Sequence, residues 1–275
     1  MLTAKRLFHF ALLMLCGLLA AQHASAQCKR PYAATIGLYG YNAYLDEKAR
    51  PAGISVDVFN ELARRSGCKL TVETYPTARV AAMGRAGMVA MGGLTRERHL
   101  ADREFVPLIS ASTDLIIRSD LGASTIETVQ EDPHVIFGVV AGLTYGNWAD
   151  AFLATLPSER IDHSTDMESV HRKMAARRVD ATFGYAMIYR RELDRFNLAE
   201  TVRVIPVKAA PRSVGGLLFN RLMIDTDDLS LLLNTLTQMR ADGTVTHIIA
   251  HYVGADLARD QTWNASRDGA VAPVR

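Results

Sequence analysis

Residues 92–100 read Gly-Gly-Leu-Thr-Arg-Glu-Arg-His-Leu, and their types and order suit the capture of an anion. Gly92 and Gly93 carry no Cβ, so backbone N–H groups there can approach a ligand closely. Thr95 is a good N-cap for a short helix starting at Arg96, and the free donors of a helix N-terminus attract negative charge. Arg98 lies three residues after Thr95, on the same helical face, which makes it the candidate for a bidentate clamp on a carboxylate. Such a charge-assisted contact is worth about 1.5–3 kcal/mol. The competing assignment for Arg98 is a solvated partner of Glu97 or Asp102. Arg96 points away from that face and reads as surface charge. His99 either senses the bound anion or is simply exposed.

A second stretch, Ala-Gly-Leu-Thr-Tyr-Gly-Asn-Trp over 141–148, places Gly142, Leu143 and Thr144 between a strand end and a helix start, where ligands sit in open α/β sheets. Tyr39, Tyr41 and Tyr44 follow the first strand and Tyr75 precedes the second helix, so aromatic walls are available. Other chemistry has little support. His247 and His251 are four apart on a helical pattern, but no third ligand accompanies them and no metal is expected. Phosphate-binding glycine loops and a nucleophile elbow are both absent from the sequence, and no cofactor is expected.

The address of the chain narrows its partners. Lys5 and Arg6, the apolar run from Phe8 to Ala21 and the Ala-Ser-Ala ending at Ala26 form a secretory signal, with cleavage expected before Gln27 and a periplasmic location. The chain has 31 basic and 29 acidic side chains, and residues 1–26 hold two of the basic ones and no acid. The mature protein is therefore neutral, which gives no electrostatic reason to expect nucleic acid or an anionic membrane as partner. Cys28 and Cys68 remain after cleavage, and in an oxidising compartment they are expected to form a disulfide.

The elements that must position these residues follow an α/β order. Strands are predicted at Ala34–Leu38, Lys69–Tyr75 and Met88–Gly93, separated by helices at Ile54–Gly67 and Pro76–Gly87. A similar run restarts with strands at 134–140, 159–164 and 179–185 and helices at 144–156 and 167–178, and the segment from Ile117 to Pro133 is the expected crossing point. A strand at 213–221 and helices at 227–243 and 246–254 follow. The tail 259–275 is polar, lacks apolar periodicity and is expected to be disordered.

The segments Gly53–Pro76, Gly92–Ser112, Gly138–Phe152 and Arg177–Tyr185 together resemble the family 3 extracellular solute-binding proteins. The resemblance implies a two-lobed type II periplasmic binding fold with two crossover hinge segments, and a ligand enclosed by lobe closure. Lobe 1 is expected over 27–117 plus 212–258, and lobe 2 over 118–211. It also implies that the Gly-x-Thr turn ending at Thr144 joins Arg98 on the ligand carboxylate. The implied activity is capture of a small molecule by a monomer and its delivery to a membrane ABC permease. The alternative is a sensing module for a signalling receptor.

The departures from the family pattern bear on the ligand. Gly93 stands where amino acid binders carry a serine, Tyr185 where they place an acid on the α-ammonium, Tyr39 where basic amino acid receptors often hold an acid, and Ala90 where an aspartate is usual. A buried ammonium needs a negative partner. The expectation is therefore an aromatic-lined site for a small carboxylate or other anion. Exported cyclohexadienyl dehydratases share the scaffold, but such a lyase needs a positioned acid. The strand that would hold it has Thr182, Gly184 and Tyr185 instead, so no enzyme is expected.

Overall fold

A computed structural model of the chain describes residues 27–95, 102–123 and 125–269. The signal segment, Arg96, Arg98 and His99 lie outside them, and for Thr95 only the backbone is described. Two five-stranded sheets form the frame. The first contains β1 (Tyr32–Gly37), β4 (Leu70–Tyr75), β5 (Met91–Thr95), β6 (Arg103–Ala111) and β12 (Ser213–Asn220), in the order β4-β1-β5-β12-β6. The second contains β7 (Asp114–Arg118), β8 (Phe137–Val140), β9 (Ile161–Ser164), β10 (Ala181–Gly184) and β11 (Val202–Pro206), in the order β9-β8-β10-β7-β11. A small hairpin joins β2 (Tyr44–Leu45) to β3 (Pro51–Ala52).

The two sheets share one plan. Each has a parallel trio whose first strand in the chain lies in the middle, β4-β1-β5 and β9-β8-β10. Beside each trio lies an antiparallel strand, β12 or β7, that has just crossed from the other sheet. The similar stretches 86–93 and 176–185 lead into β5 and β10, the equivalent third strands. The parallel strands are joined by helices, as parallel pairing requires. α1 (Ile54–Ser66) buries Ile54, Val58, Phe59 and Leu62 and ends at Gly67, which adopts the left-handed φ of 69° suited to a glycine. α2 (Thr77–Arg85) follows Pro76, and α3 (Ile126–Glu131) is opened by a capping box at Thr125. α4 (Asn147–Thr155), α5 (Met167–Ala175) and α6 (Ala186–Arg195) serve the second sheet. There the rings of Phe137, Phe152, Phe183 and Trp148 form one aromatic cluster, with centroids between 5.4 and 6.0 Å apart.

Two boundaries differ from expectation. β7 is a strand of the second sheet, with Ile117 opposite Ala181, so the first crossing is made at Ser112–Thr113, ahead of the expected 117–133. β6 and β7 run on as extended chain with no Gly or Asn turn between them, and that is why composition gave no sign of the crossing. The tail is ordered as far as Gly269. After α7 (Thr226–Ala241) and α8 (Thr244–Val253), the chain forms α9 (Ala255–Gln261) and α10 (Ala265–Asp268). Ala258 and Gln261 are buried, and the Trp263 N–H donates to the Leu108 carbonyl at 2.9 Å. Polar caps and backbone pairing with a sheet edge order this segment where apolar periodicity does not. Residues 270–275 lie outside the described ones.

Cys28 and Cys68 are bonded and tie the segment ahead of β1 to the segment between α1 and β4. The closed loop spans 40 residues. Cys68→Ser is expected to lower the unfolding free energy by about 4 kcal/mol, which urea denaturation with and without reductant would measure. His171 on α5 is fully buried, and its Nδ1–H donates to the Met167 carbonyl at 2.9 Å. Its Nε2 has no partner among the described residues. Burial pulls its pKa from 6.5 down to about 4. The unfolded chain thus takes up a proton that the fold refuses: stability is full above pH 6.5 and falls as pH drops toward 4, by about 1.4 kcal/mol per pH unit for one proton. His171→Gln should flatten that slope in urea titrations between pH 6.5 and 5.

Candidate functional site

The carboxyl ends of β1, β4 and β5 face those of β8 and β10 across the space between the lobes. After β1 the chain makes a tight loop, closed by the Tyr39 N–H on the Ala43 carbonyl at 2.9 Å and the Asn42 N–H on the Tyr39 carbonyl at 3.2 Å. Gly40 at its tip has φ +52° and lies directly on the first turn of α6. A Cβ on Gly40 would overlap the Ile188 backbone. Next to it the Tyr41 N–H donates to the Met187 carbonyl at 3.1 Å, a backbone hydrogen bond from lobe to lobe. On the other side Gly142, with φ +80°, meets the start of α2, where a Cβ would fall 2.8 Å from the Ala78 Cα. Glycine is required at both places by conformation and by contact.

Beside the Gly40 contact lies a cavity of about 290 Å³ lined from both lobes. Leu38, Tyr39, Gly40, Ala43, Tyr44 and Leu45 come from lobe 1, and Asp166, Met167, Glu168, Arg191, Glu192 and Arg195 from lobe 2. The size is close to that of small-molecule sites. Burial raises the Tyr39 hydroxyl to about 12 and keeps it a neutral donor. The Arg191 guanidinium lies 4.2 Å from the centre of the Tyr44 ring and pairs with Glu192 Oε1 at 2.7 Å. Burial raises the pKa of Glu192, and Arg191 works against it. A larger depression of about 740 Å³ lies on lobe 1 between α1 and the α7–α8 turn. Arg65 there pairs with Glu61 at 2.6 Å and with Asp242 at 2.5 Å, and no residue of lobe 2 is in its lining. The cavity between the lobes is the better ligand site.

The expected residues separate into groups. Tyr39 lines the cavity. Tyr41 instead packs on Tyr44 and on Tyr252 of α8, with centroids 6.4 and 5.8 Å away. Tyr75 bonds to Glu73 at 3.1 Å and lies under the Arg79 guanidinium at 4.2 Å. Gly92 is explained by packing, since a Cβ would lie 2.9 Å from the Thr35 carbonyl of β1. Gly93 has room, with nothing nearer than 3.8 Å. Thr95 ends β5, opposite Gly215, and the helix expected after it lies outside the described residues. Leu143 folds back, its N–H on the Val140 carbonyl at 3.1 Å. Thr144 lies ahead of the helix predicted to begin there: α4 starts at Asn147, with Gly146 as its N-cap residue at φ +93°. Tyr185 is buried, and its hydroxyl meets Ser213 Oγ at 2.8 Å, so it points at the second crossing. Sequence reasoning missed Gly40, Met187 and Arg191; only Gly40, a glycine inside a tyrosine-rich turn, carried a signal.

Family comparison agrees with this two-lobed arrangement, for residues 34–255 match the model of the bacterial extracellular solute-binding proteins, family 3. The chain belongs to that family. No curated protein matches the chain. Among solved structures, EhuB in complex with hydroxyectoine is similar at 18% identity and TM-score 0.67, covering 88% of this chain and 95% of that one. ArtJ, the arginine-, lysine-, histidine-binding protein from Geobacillus stearothermophilus, is similar at 15% identity and TM-score 0.67, covering 81% and 95%. A histidine kinase sensor domain with similarity to periplasmic binding proteins is similar at 16% identity and TM-score 0.62, covering 81% and 96%. At these identities the likeness shows the fold of the solute-binding protein alone.

If Gly40 sets how closely the lobes approach, Gly40→Ala should hold them apart. The Tyr41–Met187 hydrogen bond would be lost and the radius of gyration in solution would exceed that of the unmodified protein. The left-handed φ should also cost about 1–2 kcal/mol of stability. Gly93→Ser, with space around it, should change neither. A crystal structure of Gly40→Ala that keeps the Tyr41–Met187 bond would overturn this account.

Proposed function

We propose that the protein captures a small carboxylate-bearing ligand between its lobes and delivers it to a membrane ABC permease. The reading has the protein exported to the periplasm with residues 1–26 removed, and acting as a monomer without catalysis. Lobe 1 would comprise residues 27–111 with 213–269, and lobe 2 residues 114–206. The observation that carries this reading is the cavity lined from both lobes, because a site divided between two bodies couples occupancy to closure. Family membership supports binding as the activity. Arg98 is the proposed anion clamp, with Thr95 and the Thr144 turn as polar partners; of the residues expected from sequence, Tyr39 and Tyr44 are the ones in the lining of the described cavity. The likeness to a sensor domain supports a second reading, in which the closed form docks on a signalling receptor.

The test is a thermal-shift screen of ligand-stripped protein with amino acids, aromatic carboxylates, dicarboxylates and other small anions. A ligand at 100 times its Kd should stabilise the fold by about 2.7 kcal/mol. Arg98→Ala should abolish the shift while leaving the unliganded melting temperature unchanged. A shift retained in Arg98→Ala removes Arg98 from the site, and silence across the whole panel counts against transport.

A further inference from the structure

The segment after α8 has no part in the binding reading, and it lies where it can act on the hinge. The family match stops at residue 255, and the chain continues in order to Gly269. This extension runs along β6, the edge strand of the first sheet, with an isolated bridge from Thr262 to Ile109 beside the Trp263–Leu108 hydrogen bond. Covering an exposed edge is one use for it. Its polar side chains reach further, to the two strands that cross between the lobes.

Arg212, the last residue before β12, is the centre of these contacts. Its guanidinium donates to the Ser110 carbonyl at 2.5 Å and to the Ser110 hydroxyl at 3.1 Å. It reaches the Ser112 hydroxyl at 3.2 Å and the Asp260 carbonyl of the extension at 2.7 Å. Ser110 ends the first crossing's approach, and its hydroxyl also donates to Asp268 at 2.8 Å. The Asp268 side chain is 1% exposed. Burial works against its charge, but hydrogen bonds from Arg267, the Asn264 N–H and Ser110 outweigh burial and bring its pKa down to about 2. A buried carboxylate and a guanidinium thus join the extension to both crossings at one point.

We propose that residues 256–269 form a buckle that restrains hinge rotation, with the Asp268–Ser110–Arg212 cluster as its clasp. Lobe motion must change backbone angles at Ser112–Thr113 and across Val207–Arg212, because these are the segments between the sheets. A clasp holding Ser110, Ser112 and Arg212 to one rigid extension opposes that change. The inference rests on the two crossings alone and holds whatever the cleft binds.

The hinge supplies its own reporter. The Val207 N–H of the second crossing donates to the Thr113 carbonyl of the first at 3.0 Å, a hydrogen bond that includes no atom of the extension. Asp268→Asn and, separately, Arg212→Gln should each speed hydrogen exchange of the Val207 amide by about tenfold, the size of a lost charge-assisted hydrogen bond. Amides in β1 and β8 should keep their rates. Arg259→Ala removes an exposed ion pair of the same extension with Asp256 and should leave Val207 unaffected. If Asp268→Asn speeds only the amides of 108–111 and 262–263, the extension is an edge cover and the buckle is refuted. Unchanged exchange throughout refutes it as well.

Discussion

Backbone contact at Gly40 and Gly142 sets how closely the lobes approach, and the cavity lined from both lobes exists because they meet at Gly40. Side chains can change rotamer to relieve a poor fit, but a carbonyl against a Cα has no such freedom. The loop after β1 is held in shape by its own hydrogen bonds and by Ser55, whose hydroxyl donates to Asn42 Oδ1 at 2.7 Å. Its tip therefore reaches α6 as a rigid surface. Gly142 does the same from the other lobe, against the first turn of α2. The contacts at Gly40 and Gly142 form a seat, and beside the first of them the 290 Å³ cavity is bounded by residues of both lobes.

That seat has meaning only if the lobes return to it accurately, which is the task of the crossings. Each crossing feeds an antiparallel strand into the middle of the sheet it enters, β7 between β10 and β11, β12 between β5 and β6. A strand paired on both sides cannot shift register without breaking two ladders. Rotation is thus confined to the few residues between the sheets. Tyr185 adds a tie from the α6 start to Ser213, and Gly146 is close to the same point, where a Cβ would fall 2.7 Å from Ser213 Oγ. Tyr185 is thereby part of the contact at the second crossing.

Much of the frame was legible because it rests on periodicity and caps. The stripe Ile54, Val58, Phe59, Leu62 and the stop at Gly67 announce α1, and Pro76 announces α2. The crossing at 112–113 was not legible, since extended chain continues through it without punctuation. The ordered extension escaped for a related reason: Asp260 and Asp268 look like a solvated tail until Arg212 and Ser110 come from elsewhere in the chain to meet them. For the site, sequence located the right strand ends but assigned side chains by type. Tyr41 and Tyr185 are aromatic residues near the cleft, yet one packs on Tyr252 and the other on Ser213. Which way a side chain turns depends on long-range neighbours that spacing does not encode.

The charges around the cavity bear on the kind of ligand it suits. A zwitterion needs a carboxylate free to meet its ammonium, since a buried ammonium without one is costly. Asp166 is committed to the N-terminus of α5, accepting from the Ser169 N–H at 2.7 Å, and to the Thr165 hydroxyl. Glu168 pairs with Arg172 and Arg195. Glu192 gives one oxygen to Arg191, and its other oxygen is sealed from the cavity. Each acid of the cavity is thus already matched or sealed. The raised pKa of Glu192 further weakens its hold on a cation. Arg191 and Arg195 are held in the same pairs, and Tyr185 is engaged with Ser213, so the described lining offers aromatic surface and no uncommitted charge of either sign.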